Sequence, residues 1–469
     1  MVASPLTSPA LEGTSPPAGG VPSGAGNPRA SLGVAMLGFF VVALDAQVVN
    51  VALPDVGADL VVGLSGLQWV VTGYTLTFSA LLLFAGTFSD RIGARRAYGT
   101  GMVVFVVASV ACGLAPSLPV LVAARVAQGV GAAIVTPTSL ALIREAFTDA
   151  RARARAIAYW AMGGSVALAA GPVLGGALTQ IDWRLIFILN LPVGAVALLV
   201  LARVAPSARR VVPFDGPGQV AAVVGLAALT YAVIEGGATG YGTREVVIAS
   251  AVAVLALAGF GLSQARGAHP MVPLSLFRSS TVVIALAAAF IGMVGFYGVV
   301  FLQSLYFQQL RGASPLTTGL LFLPMSALVA GLNPLAARTA LRFGPRVPIV
   351  GGQLVMAAGL VALGLVGAGA PIWTVALLMV PVGVGGSFTV PPLTSLLIDA
   401  APAAQAGIAS GVLNTFRQLG GSLGVAVYGA VIAAGSSFLA GLHASYLATA
   451  AILLLTAGAS TALRPSSTS

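Results

Sequence analysis

Residues 32–54 read LGVAMLGFFVVALDAQVVNVALP. Thirteen residues without one polar side chain lead to a single acid, Asp45, and the nine that follow carry only two amides, Gln47 and Asn50. A helix on the surface of a water-soluble protein keeps a polar face; this stretch has none and needs apolar surroundings on every side. At about 1.5 Å per residue it is long enough to cross about 30 Å of hydrocarbon. Asp45 then lies roughly 20 Å from the start of the helix, inside the bilayer core. An ionised carboxylate there is costly, so its proton affinity should rise unless a cation sits close by. A structural aspartate satisfied by neighbouring donors is the plainer reading; intramembrane acids are more often functional.

The rest of the chain repeats this character. Of 469 residues, 22 are basic and 12 acidic, about 7% charged, and 58% are apolar, where soluble proteins run near 25% charged. That excludes a water-soluble enzyme. Fourteen apolar stretches follow one another: 32–54, 67–88, 97–115, 118–143, 155–180, 184–204, 216–236, 245–264, 280–309, 317–337, 346–366, 372–398, 405–433 and 443–463. Most have the length of a membrane-spanning helix. None alternates polar and apolar residues as a barrel strand would. The 59 glycines fall mostly inside these runs, where they allow close helix approach. Residues 1–28, rich in proline, glycine and serine, cannot bury a core and are expected to be a disordered, dispensable tail. They lack the basic start and short apolar core of a secretory signal.

All 22 basic residues are arginine. With the N-terminus in the cytoplasm, seventeen arginines fall on cytoplasmic segments and only Arg184, Arg244 and Arg311 outside; Arg125 and Arg417 lie within spans. This positive-inside asymmetry sets both termini in the cytoplasm, and the net charge of +10 needs no nucleic-acid partner. Trp69, Trp183 and Trp373 fall at outer boundaries, as an aromatic belt requires.

The chain also echoes itself. Arg91, Gly93 and Arg95 align with Arg342, Gly344 and Arg346 at an offset of 251; Gly129, Gly131 and Pro137 with Gly383, Gly385 and Pro391 at 254; Gly163, Gly164 and Ser165 with Gly420, Gly421 and Ser422 at 257. This predicts an all-α membrane protein of two six-helix bundles, 29–210 and 267–464, separated by two inserted helices in 211–266, with a short tail at 465–469. Parallel halves around a midplane site are one architecture of alternating-access carriers.

Six segments resemble the major facilitator superfamily and, within it, the fourteen-span drug:proton antiporters: LDAQVVNVALP (44–54), GTFSDRIGARR (86–96), RVAQGVGAA (125–133), GPVLGG (171–176), WRLIFILNLPVG (183–194) and FRQLGGSLGVAV (416–427). Gln47 departs from the threonine usual in the first. The resemblance implies a major facilitator fold and proton-coupled export of small amphipathic compounds. The rivals are a dedicated exporter of one metabolite and a non-transporting receptor or scaffold. No phosphate loop, nucleophile–base pair or metal cluster is evident in the sequence, so neither ATP nor a cofactor is expected; the partners are a small-molecule substrate, protons and lipid, and the unit a monomer.

Candidate residues follow. Asp45 is the proton carrier, with Arg125, about 10 Å into its span from the outer side, communicating directly or through Gln128; the alternative for Arg125 is snorkelling to the surface. Gln47, Asn50, Tyr74, Gln128, Gln303, Tyr306 and Arg417 are candidates for a substrate cavity. Arg417 has no obvious acid in its own half. It either contacts backbone carbonyls or the other half, or faces the cavity and favours neutral or anionic substrates. Gly86, Asp90, Arg91, Gly93, Arg95 and Arg96 form a cytoplasmic gate or only a topogenic cluster, with Glu145 and Asp149 as candidate partners of Arg91 or Arg95. Gly171, Pro172, Gly175 and Gly176 supply a kink and close packing, which the resemblance links to antiport.

Overall fold

A computed structural model describes residues 27–209, 213–267, 270–400 and 405–463. The expected disorder of the tail therefore concerns residues almost wholly outside the described ones, as do Arg210, His269 and Arg464. Among the described residues twelve helices are long and apolar enough to cross a membrane: α1 (Pro28–Asp59), α2 (Leu64–Ile92), α3 (Ala94–Gly113), α4 (Leu118–Ala146), α5 (Ala150–Thr179), α7 (Gly216–Thr239), α8 (Arg244–Arg266), α9 (Ser280–Leu310), α10 (Pro315–Phe343), α11 (Arg346–Leu365), α12 (Ile372–Ala400) and α14 (Phe438–Ser460). The shorter α6 (Leu185–Leu201) and the more polar α13 (Ala406–Ala434), which carries Asn414, Arg417 and Gln418, bring the number to fourteen.

Several helices outrun the apolar stretches because polar residues cap them. The Asn27 side chain accepts from Arg29 N ahead of Pro28 at the start of α1, and Asp149 accepts from Ala152 N at 2.7 Å to start α5. The span expected at 184–204 is not one continuous helix: it breaks at Leu189 into Leu185–Ile188 and Asn190–Leu201. Pro192 offers no N–H and its ring opposes the carbonyl of Ile188.

Helices alternate between two faces. The near face holds the start of α1 and the α2–α3 turn; the far face holds the end of α1. Within α1–α6, α3 packs on α4 and α1 on α5; within α9–α14, α11 packs on α12 and α9 on α13. The repeated glycines sit in these seams. Gly131 lies against the backbone of Gly101 and Phe105, and Gly385 against that of Gly352 and Met356. Gly163 faces the Met36 carbonyl, and Gly420 that of Phe290. A side chain at any of these positions would hold the backbones apart.

The inserted pair is asymmetric. α7 packs on both α2 and α13, whereas α8 packs chiefly on α7 and faces outward along almost its whole length. The two halves meet mainly along α5–α10 and α2–α13. The polar bonds joining them gather at the far face: Gln68 Nε2 donates to Val425 O (3.0 Å) and Ala426 O (2.8 Å), Ser304 Oγ to Asn50 O (2.5 Å) and Gln308 Nε2 to Val51 O (2.8 Å). Toward the near face Leu83 of one half approaches Gly411 of the other.

Candidate functional site

Inside the first six helices lies a polar cluster sealed from solvent. Asp45, on α1, is 0% exposed and Arg125, on α4, 1%. Arg125 Nη1 meets Asp45 Oδ2 at 2.5 Å. Asp45 Oδ1 accepts from Gln128 Nε2 and from Asn190 Nδ2, each at 2.8 Å. Arg125 also donates to Gln128 Oε1 (2.7 Å) and, through Nε, to the Val70 carbonyl (3.1 Å). Ser109 Oγ, on α3, accepts from Gln128 and Asn190 and donates to Phe187 O at 2.8 Å. The guanidinium stands over the Tyr74 ring at 4.3 Å and near the Phe187 ring at 5.6 Å, and the Tyr74 hydroxyl donates to Val42 O.

The cluster thus draws on α1, α2, α3, α4 and α6. The cation that the isolated helix lacked is supplied by the partner helix, one turn ahead of Gln128 on the same face. Both carboxylate oxygens are satisfied, as a buried pair must be if its desolvation is to be offset. The snorkelling alternative for Arg125 does not apply to a side chain this deep. What the arrangement can do chemically is change its charge. A proton on Asp45 would remove one member of the pair and loosen bonds to α4 and α6 at once.

Other candidates fall elsewhere. Tyr74 and Gln128 belong to this cluster and do not line an open cavity, because the Arg125 guanidinium draws both onto itself. Gln47 is buried beneath Gly171, and Asn50 donates to Ala46 O while its carbonyl meets Ser304. Asn50 stands at the far-face seam. Tyr306 accepts from Arg311 Nη1 at 2.7 Å in the π-helical last turn of α9, and Gln303 is buried. Arg417 is half-buried, bonds Asn414 Oδ1 at 3.2 Å, and leaves its Nε without a partner.

At the near face, Gly86 has open space beside it, and Asp90, Arg91 and Arg96 are exposed. The Arg91 guanidinium lies 5.7 Å from the Phe214 ring. Gly93 turns the chain with φ +89° against the Ser207 carbonyl, a conformation that suits glycine. That turn places Ser207 between two expected partners: Arg95 N donates to Ser207 Oγ (3.0 Å), which donates to Glu145 Oε2 (2.5 Å). Arg95 and Glu145 are therefore linked by a relay and not by direct pairing, and Arg95 Nη2 reaches Ala202 O. Asp149 caps α5. In the GPVLGG segment, Gly171 and Gly175 face Gln47 and Val48 of α1, whereas the Pro172 carbonyl faces Gly319 and Gly176 faces Pro315, both on α10. One turn of α5 thus touches both halves.

Sequence reasoning missed Asn190 and Ser109. Asn190 stands inside the quoted WRLIFILNLPVG, a lone amide in an apolar run beside Pro192, which was the available signal. Ser109 carried none, since serine is common in membrane helices and returns its hydroxyl to the backbone.

Comparison with known proteins bears on this geometry. The sequence pattern of the Major Facilitator Superfamily matches residues 35–425. Multidrug resistance protein Stp of Mycobacterium tuberculosis is 41% identical over 404 residues, covering 85% of this chain and 74% of that protein. Methylenomycin A resistance protein of Streptomyces coelicolor is 36% identical over 444 residues, covering 94% and 92%. Among solved structures, a D-xylose–proton symporter superposes with a TM-score of 0.69 at 17% identity over 93% of this chain and 98% of its own, a likeness of fold.

Proposed function

The chain belongs to the major facilitator superfamily, and from that premise we propose that it exports small amphipathic drugs or antibiotics in exchange for protons. The reading places it in the cytoplasmic membrane with both termini inside, so that the near face is cytoplasmic. It works as a monomer, without ATP. Relatives named for multidrug and antibiotic resistance support export of such compounds.

The observation that carries proton coupling is the sealed Asp45–Arg125 pair. In the conformation described, the polar bonds between halves gather at the far face and Asp45 has no contact with water. A proton can reach it only when the helices around it part. Protonation then leaves Arg125 to Gln128 and the Val70 carbonyl, and it weakens the hold of α1 on α4 and α6. The cost of a buried charge differs between the two protonation states, and that difference biases the bundles between inward-open and outward-open arrangements. Substrate and proton compete for these states. Were Arg417, a half-buried cation bonded to Asn414, to face the cavity, it would favour neutral or anionic substrates. A second reading, export of one antibiotic, is supported by the name of the methylenomycin A relative. A panel of toxicity assays in an exporter-deficient host separates the two.

Asp45→Asn tests the coupling. Asparagine keeps the size and most hydrogen bonds but cannot exchange a proton. In inside-out vesicles with a verified pH gradient, the variant should insert, keep substrate exchange and lose uphill transport. Uphill transport at the wild-type rate would remove Asp45 from the mechanism. Glu235, which accepts from Trp69 Nε1 at 3.0 Å, would be examined next.

A further inference from the structure

A cleft of about 560 Å3 opens at the near face, away from the Asp45 cluster, between the α2–α3 turn and the segment that follows α6. Arg95, Arg96 and Arg209 line it together with Ser207, and Leu198 and Leu201 form its apolar wall. Among the described residues no acid lines it; the neighbouring Glu145 carboxylate is held by Ser207 Oγ. Arg95 gives one Nη2 bond to Ala202 O, while Arg96 and Arg209 are exposed. Beyond the cleft the same two helices present Val103 and Val107 of α3 and Val196 and Leu199 of α6 outward. The arginine-lined cleft therefore lies on the same two helices as these exposed apolar side chains.

We propose that this cleft binds an anionic phospholipid, its phosphate among Arg95, Arg96 and Arg209 and an acyl chain running along Leu198 toward Leu199. Phosphate chemistry suits planar guanidinium donors. The apolar wall favours a lipid over a soluble phosphate, because a free ion would leave the half-buried Leu198 uncovered. The assignment to the inner leaflet rests on the orientation proposed above; the binding itself does not. A lipid here would tie the α2–α3 turn to the segment leading into α7.

The test is retention of phosphatidylglycerol by the purified full-length protein, titrated in detergent and counted by native mass spectrometry. The double variant R96Q/R209Q should bind it roughly 30-fold more weakly, taking the usual gain per basic residue at an anionic surface. R338Q/R342Q, which removes two exposed arginines of the second half, should bind as the wild type does. Leu198→Trp keeps every charge but fills the wall, and it too should lose the lipid, so the outcome does not hang on one variant's folding. Unchanged retention in R96Q/R209Q, or an equal loss in R338Q/R342Q, would overturn the site. Competition by inorganic phosphate at the same concentration would overturn the lipid in favour of a soluble ion. None of these readouts involves transport, so proton coupling can fail without touching this result.

Discussion

The two six-helix halves pack alike but differ at the positions that hold the ion pair. The α1–α5 seam and the α9–α13 seam bring Met36 to Gly163 and Phe290 to Gly420, an offset of 254 on the first helix of each half. At that offset Asp45 corresponds to Val299, and on α4 and α12 Arg125 corresponds to Met379 and Gln128 to Val382. At 251, on α3 and α11, Ser109 corresponds to Leu360. Those four counterparts are all 0% exposed and join the apolar core. The same backbone positions thus hold a charged cluster in one half and apolar side chains in the other. The fold therefore does not require the ion pair. A buried pair is often no more stabilising than apolar residues of similar volume, so its presence in one half alone points to use and not to architecture.

The largest effect is expected when the first half is given the composition of the second at these positions. Asp45→Val alone strands Arg125 in the core and should cost about 3–5 kcal/mol. The double variant D45V/R125M should recover most of that loss, because no buried charge remains. Thermal unfolding in detergent measures both. A double variant no more stable than the single one would show that the first half cannot accept the other's interior. Transport against a pH gradient should be absent from both.

A smaller effect tests the likeness of the frames. Gly131→Val and Gly385→Val each push a side chain into the backbone of the neighbouring helix. They should destabilise by similar amounts, about 1–3 kcal/mol each. A large inequality in unfolding temperature would mean that the two seams are not equivalent.

The smallest difference expected between the halves concerns the turns. Gly93 and Gly344 share a positive φ, +89° and +81°. An added Cβ at Gly93 meets the Ser207 carbonyl at 2.9 Å, whereas at Gly344 it meets open space. Alanine should therefore strain both turns by about 1–3 kcal/mol, with a further loss only at Gly93. Equal stabilities for G93A and G344A would show that the Ser207 segment yields without cost.

Much of this was legible in the sequence because membrane helices are selected residue by residue. An apolar run of about 20 residues must be a helix in lipid, since no other local structure satisfies its backbone there. The fourteen stretches, the repeated glycines and the isolation of Asp45 and Arg125 in apolar surroundings all follow from composition along the chain. Periodicity also placed Arg125 and Gln128 on one face of α4.

Which helices meet, and therefore what each polar side chain touches, was decided only by the tertiary structure. Asp45 and Arg125 are 80 residues apart, and Asn190 reaches the same carboxylate from 145 residues away; no local pattern encodes such a meeting. For the same reason Tyr74 and Gln128 read equally well as cavity residues, yet the guanidinium draws both into the sealed cluster. Ser207, in a connecting segment without motif, came to stand between Arg95 and Glu145 because Gly93 turns the chain against it. Hydrophobic burial acts along the chain and is readable there, whereas a hydrogen bond needs its partner at about 3 Å, and only packing brings it.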